Sequence, residues 1–137
     1  MTRTRNGIAV LLLVSAFVAA RADDYVFRDA DRPAYENSVS VDELETMQGN
    51  PKLVLLDVRL REDFNADPVL IPGASYRDPE NIGSWFAEIP ADADVVVYCE
   101  RGKWVSQKAA NFLDSKGIEV HSLEGGIEAW KEKAGQD

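Results

Sequence analysis

Cys99 is the single cysteine among 137 residues, and its neighbours are those of a nucleophile. The segment Asp94-Val95-Val96-Val97-Tyr98-Cys99 runs into Glu100-Arg101-Gly102-Lys103-Trp104-Val105-Ser106, and helical periodicity takes over from Gln107. A β-branched strand, a glycine-bearing loop and a helix, in that order, leave the sulfur at the strand's carboxyl end, facing the amides that open the helix. Unpaired N–H donors and partial positive charge there favour a thiolate over a thiol. Arg101 and Lys103 act in the same direction. The competing reading is a buried structural cysteine, because free cysteines often serve as small core hydrophobes. The cationic loop favours the nucleophile.

Other candidate groups are few. Asp57 closes the apolar run Leu53-Val54-Leu55-Leu56, where the strand should still be buried, so its carboxylate needs a partner. Arg59 follows two residues later. One cysteine and one histidine cannot make a closed zinc site, and no metal or other cofactor is expected. His121 falls in a short strand far along the chain from Cys99 and reads as a structural or surface histidine.

The elements that must position these groups follow from pattern. Ser38 to Val41 can begin a strand, and Ser40 with Glu43 forms a capping box for a helix through Met47. Gly49-Asn50-Pro51 breaks that helix. The run from Leu53 to Val58 has the continuous apolarity of a strand buried on both faces. Arg61 to Ala66 reads as a helical turn, and Ile71-Pro72-Gly73-Ala74 as a tight connection into a short strand. Ile82, Trp85, Phe86 and Ile89 recur at helical spacing. Beyond Cys99, Ala109, Phe112 and Leu113 form a helix face closed by Gly117. Glu119 to Leu123 is a last strand, and Gly125-Gly126 turns into a final helix with Ile127 and Trp130. Strands alternating with helices argue for an α/β three-layer sandwich on a central, mainly parallel sheet. In such sheets, sites gather at the carboxyl ends of strands, where Asp57, Arg59 and Cys99 all fall.

Charge and the amino terminus bound the setting. Arg3 and Arg5 precede the apolar stretch Ile8 to Ala20, then Ala20-Arg21-Ala22, the pattern of a secretory signal peptide over residues 1–22. An uncleaved anchor is the alternative, although the run is short for a bilayer. Cleavage after Ala22 takes the formal charge from −9 to −12, since the segment carries three arginines and no acids. So acidic a chain suits neither nucleic acid nor an anionic membrane, and no stable membrane association is expected after cleavage. The location expected is periplasmic or secreted. Residues 23–37 are polar and read as an exposed amino-terminal arm, leaving 38–134 as one folded domain.

In order, Asp57-Val58-Arg59, Ile71-Pro72-Gly73-Ala74, Cys99 with Gly102, and Leu123-Glu124-Gly125-Gly126 with Trp130 resemble the single-domain rhodaneses, a sulfurtransferase family. The match spans about Ser38 to Lys133. The resemblance implies a small α/β fold in which Cys99 carries sulfur as a persulfide. It also implies a cradle of backbone N–H groups from Glu100, Arg101, Gly102, Lys103 and Trp104, with Asp57 and Arg59 in support. Three departures stand out. Asp67-Pro68-Val69-Leu70 precedes the Ile-Pro-Gly-Ala element where many members have histidine. Trp104 stands where many have arginine, and the spacing from Cys99 to Ala109-Ala110 is one residue longer than the commonest pattern.

The reaction this implies is thiosulfate sulfurtransferase-like: sulfane sulfur passes from thiosulfate or a related donor to Cys99, then to a thiol or cyanide. A second reading is a sulfur carrier that relays persulfide to a docked partner protein. A third is a cysteine-based phosphatase or arsenate reductase, whose arginine six positions after the cysteine grips an oxyanion; that place here is Val105.

Overall fold

In the computed structural model, residues 25–29 and 31–136 are described; the expected signal peptide over residues 1–22 lies outside them. Five strands form one sheet in the order β1-β5-β4-β2-β3, with every pairing parallel. They are β1 (Ser38–Val39), β2 (Leu53–Asp57), β3 (Ala74–Tyr76), β4 (Asp94–Tyr98) and β5 (Val120–Leu123). The helices are α1 (Val41–Met47), α2 (Arg61–Ala66), α3 (Ile82–Trp85), α4 (Trp104–Ser115) and α5 (Gly126–Gln136). Short 3₁₀ turns, Pro79–Asn81 and Phe86–Glu88, flank α3, so the helical spacing from Ile82 to Ile89 is realised as two short pieces.

The sheet separates two apolar layers. Val95, Val97 and Val120 pack with Ile82, Trp85, Ala109, Ala110 and Leu113 on the α3–α4 face. Val96, Tyr98, Leu55 and Leu123 pack with Leu44 and Ile127 on the α1–α5 face. Alternate residues of β4 thus bury into opposite layers, as the period of two requires, and the three-layer sandwich is realised with a fully parallel sheet. The capping box that opens α1 is present: Glu43 N–H donates to Ser40 Oγ at 3.1 Å, and Ser40 N–H donates to Glu43 Oε1 at 3.1 Å.

Chain direction places the site. From β2 the chain moves outward to β3, whereas from β4 it moves the other way to β5. The carboxyl ends of β2 and β4 therefore flank a point where the winding reverses, and such points open a crevice. Asp57 ends β2 and Tyr98 ends β4, paired in register, with Cys99 next.

Two expectations need correction. The helix after Cys99 begins at Trp104 rather than Gln107, so Trp104, Val105 and Ser106 are its first turn and the loop is only Glu100 to Lys103. The arm at 23–37 is not simply exposed. Most of its described residues are solvated, yet Phe27 is 1% exposed within the α3–α4 layer. Tyr25 packs on Phe112 with ring centroids 4.6 Å apart, and Tyr35 Oη donates to the Val120 carbonyl at 2.7 Å. Aromatic side chains bury enough apolar area to hold a short polar segment against the domain.

Candidate functional site

Cys99 sits directly beyond β4, 4% exposed, with its Sγ 3.1 Å from Ser106 Oγ. Ser106 is the third residue of α4 and wholly buried. That contact puts the sulfur at the amino end of a 12-residue helix, where free amides and the helix dipole favour an anion. When the sulfur carries negative charge, the Ser106 hydroxyl is its hydrogen-bond donor.

The loop from Glu100 to Lys103 is held from behind by the turn into α5. Ile127 N–H donates to the Cys99 carbonyl at 2.9 Å, and Glu128 N–H donates to the Glu100 carbonyl at 3.1 Å. This close approach is what the Gly125-Gly126 pair provides. Gly126 has φ +59, and a Cβ there would lie 2.7 Å from both the Glu100 oxygen and the Gly102 nitrogen. Gly102, at φ +70, would likewise drive a Cβ to 2.7 Å from the Gly125 nitrogen and the Leu123 oxygen. The glycines on both sides are therefore fixed by loop-to-turn packing and by left-handed backbone. Gln107 adds a brace, donating from Nε2 to the Gly102 carbonyl at 3.0 Å.

Asp57 and Arg59 are both fully buried and paired. Arg59 donates from Nε to both Asp57 oxygens at 3.0 Å and from Nη2 to Oδ2 at 2.6 Å, while its backbone N–H donates to Oδ1 at 3.0 Å. One further hydrogen on Nη1 goes to the Asp67 carbonyl and one on Nη2 to the Val69 carbonyl, each at 2.9 Å. Burial opposes the guanidinium charge, but the Asp57 bonds outweigh it and hold its pKa above the usual value. Arg59 is thus largely committed to scaffold bonds: it ties the end of β2 to the 67–69 loop, while it also lines the cleft, with Glu100 3.8 Å from its Nη1. Tyr98, its hydroxyl accepting from Ile71 N–H at 3.2 Å, has its pKa raised by burial and then by the Asp57 charge.

In front of the sulfur lies a cleft of about 160 Å³, lined by Arg59, Leu60, Asp63 and the segment from Cys99 through Val105, Gly102 excepted. Arg101 and Lys103 stand exposed at its edge. Among the described residues neither has a carboxylate partner, whereas Arg28, Arg59, Arg61, Arg77, Lys131 and Lys133 all do. Glu100 opposes them: burial, and next a hydrogen bond with Glu128, raise its carboxyl above the ordinary range against the pull of Arg59. A hollow of about 270 Å³ lies elsewhere, lined by Phe86, Ile89, Pro90 and Ile118 near the amino ends of β4 and β5. Its lining holds no cysteine, serine or histidine.

The structure therefore brings Cys99, Glu100, Arg101, Gly102, Lys103 and Trp104 together around one crevice, with Asp57 and Arg59 beneath it. His121 is not among them. It pairs with Val96, three residues before Cys99, roughly 10 Å back along the strand, and its Nδ1 is buried without a hydrogen-bond partner. Sequence reasoning missed Ser106 and Gln107. For Ser106 a signal existed: it shares the spacing of Ala109, Ala110 and Leu113, and a hydroxyl on a buried helix face must find a partner.

Comparison with known proteins agrees with this geometry. Residues 40–133 match the family model of the Rhodanese-like domain. A thiosulfate sulfurtransferase GlpE of Shewanella oneidensis is 34% identical over 95 residues, 69% of this chain and 91% of that protein. A second GlpE, from Pseudomonas fluorescens, is 38% identical over 79 residues, 57% of this chain and 70% of that protein. Among solved structures, a rhodanese-related protein of Thermoplasma volcanium superposes with TM-score 0.62 at 22% identity, covering 72% of this chain and 93% of that one.

Proposed function

This chain belongs to the rhodanese-like domain family, and from that premise we propose that it is a sulfurtransferase working through a persulfide on Cys99. The carrying observation is the placement of the Cys99 sulfur. It lies at the head of α4, 3.1 Å from a buried hydroxyl, and opens to a small cleft edged by two unpaired cations. The GlpE relatives are named thiosulfate sulfurtransferases, and thiosulfate is the donor put forward.

In the first half-reaction the Cys99 thiolate attacks the outer sulfur of thiosulfate. The sulfur–sulfur bond of the donor breaks, sulfite leaves with its electron pair, and a Cys99–S–S⁻ anion remains. In the second, a thiolate or cyanide attacks the terminal sulfur, and Cys99 thiolate departs. One displacement becomes two. Ser106 donates to the sulfur in its anionic states, Arg101 and Lys103 attract the dianion, and the buried Asp57–Arg59 pair holds the strand end that carries the loop. The cleft, about 160 Å³, is large enough for a small anion.

Intact-mass measurement of the protein after incubation with thiosulfate tests this. The expected result is a gain of one sulfur atom, removed by cyanide or a reductant and absent in Cys99→Ser. An equal gain in Cys99→Ser, or none in the unmodified protein, overturns the assignment.

A further inference from the structure

The arm that precedes the matched domain packs on the first turns of α4, beside the active loop. Its described residues dock on both sides of Arg32. Asn111 Nδ2 donates to the Pro33 carbonyl at 3.0 Å, Tyr35 N–H donates to Gln107 Oε1 at 3.1 Å, and Lys108 Nζ donates to the Asp29 carbonyl. Arg28 bridges Glu62 at 2.9 Å and Glu80 at 2.8 Å. Between these anchors, the Arg32 guanidinium lies over the ring of Trp104, 3.7 Å from its centroid. Trp104 itself lines the cleft in front of Cys99. Among the described residues Arg32 pairs with no carboxylate, like Arg101 and Lys103.

We infer that Arg32 is a third cation of the substrate site, a specificity-determining residue delivered by the arm and oriented by Trp104 for anionic sulfur donors. The reasoning is electrostatic and geometric. An arginine side chain on a flexible arm would be spread over many rotamers. Stacking on an indole face confines it, and the cation–π contact leaves its N–H edges free for other partners. Trp104 is held in turn by Phe27, whose ring centroid lies 5.9 Å away. The outcome is a fixed positive charge one ring away from the cleft, on a chain whose net charge is otherwise strongly negative. A dianion such as thiosulfate gains twice what a monoanion gains from it, and a neutral reactant gains nothing.

The inference rests on the reading of Cys99 as the sulfur-carrying nucleophile, so its test includes a readout that does not need turnover. Because Cys99 is the sole cysteine, alkylation reports on this site alone. The rate of carboxymethylation by iodoacetate, an anion, is divided by the rate with neutral iodoacetamide, at low ionic strength. For one charge acting across roughly 8 Å of water-like medium, Arg32→Gln should lower that ratio about twofold. The same substitution should lower kcat/KM for thiosulfate about fourfold and lose its effect at high salt. Arg32→Lys, which keeps the charge, should restore most of both. An alkylation ratio unchanged in Arg32→Gln overturns the inference. So does an equal fall with both reagents, which would mean that the arm only shapes the loop. Failure of the unmodified protein to take sulfur from thiosulfate removes the sulfur-transfer reading, while the alkylation ratio still decides the role of Arg32.

Discussion

Asp57→Asn is the substitution with the largest consequence that the structure predicts. The carboxylate and the Arg59 guanidinium are both fully buried, and the side-chain bonds between them run from 2.6 to 3.0 Å. Asparagine keeps the shape but removes the charge, and turns one acceptor into a donor facing guanidinium N–H groups. Arg59 then remains buried and charged, with one neutral amide oxygen and the Asp67 and Val69 carbonyls to solvate it. Breaking one side of such a pair typically costs ~3–5 kcal/mol, a large part of the ~5–15 kcal/mol that holds a domain folded. Arg59→Met in the Asp57→Asn background removes the stranded charge. It leaves two loop carbonyls without their donors, which would cost about 1–3 kcal/mol each if fully buried and less here, where both bonds are only part-buried and water can reach the oxygens. The double variant is therefore expected to be more stable than Asp57→Asn alone, the reverse of additive behaviour. Urea unfolding of the protein and both variants, followed by far-ultraviolet circular dichroism, measures this. A loss below about 1 kcal/mol for Asp57→Asn, or a double variant less stable than the single, would refute the view that Asp57 exists to neutralise Arg59.

Two further outcomes follow from the loop. Burial, then Glu128, raises the Glu100 carboxyl, so the folded state resists its ionisation; the stability contributed is full below the ordinary carboxylate pKa and is lost as pH rises through the folded value. Glu100→Gln should therefore raise the Tm at neutral pH and not at about pH 3; a rise of the same size at both, read by thermal scans, contradicts the linkage. Gly126→Ala, forced to hold φ +59 with its Cβ against the Glu100 oxygen and Gly102 nitrogen, should lose at least ~1–2 kcal/mol from the left-handed backbone alone and most of its sulfur uptake. Gly83→Ala, whose Cβ would meet nothing within 4 Å, serves as control, and equal behaviour of the two in urea melts and mass analysis would contradict the packing argument.

What the sequence disclosed and what it hid divide along physical lines. The β2 and β4 strands were legible because a parallel sheet buries both faces, leaving uninterrupted apolar runs. The demand that Asp57 find a partner was legible too, and Arg59 meets it two residues away. The start of α4 was not. Lys103 offers no side-chain cap, and Trp104 and Val105 are weak helix formers, so nothing local announces the first turn; tertiary contacts impose it. That error hid Ser106, which as a loop residue has no defined direction and as the third residue of α4 faces the sulfur. Phe27 was hidden differently. One aromatic in a polar stretch carries no periodicity, and its burial depends on a layer built from residues 29 to 93 positions later. The Glu100–Glu128 contact also depends on packing, because the α5 turn must first fold against the loop.

The same loop geometry weighs on the choice between sulfur and oxyanion chemistry. A phosphatase-type grip needs a guanidinium aimed at the cleft from within the helix's first turn, so that two N–H groups can meet two oxygens. In this fold that place belongs to Val105, 7% exposed and packed into the α3–α4 layer. Arg59 cannot substitute, because four of its five donors are spent on Asp57, Asp67 and Val69, and a single Nη1 hydrogen cannot make a bidentate grip. The cations that remain, Arg101 and Lys103 at the edge and Arg32 behind Trp104, sit at the mouth rather than on the floor. Leu60, Trp104 and Val105 make much of the wall apolar. Charge at the mouth with a dry wall suits a donor whose anionic end stays outside while its outer sulfur, larger and more weakly hydrated than oxygen, enters toward Cys99. A tetrahedral oxyanion bound on the floor would need donors on every oxygen, and beyond Ser106 and the helix amides no guanidinium among the described residues is placed there to grip it.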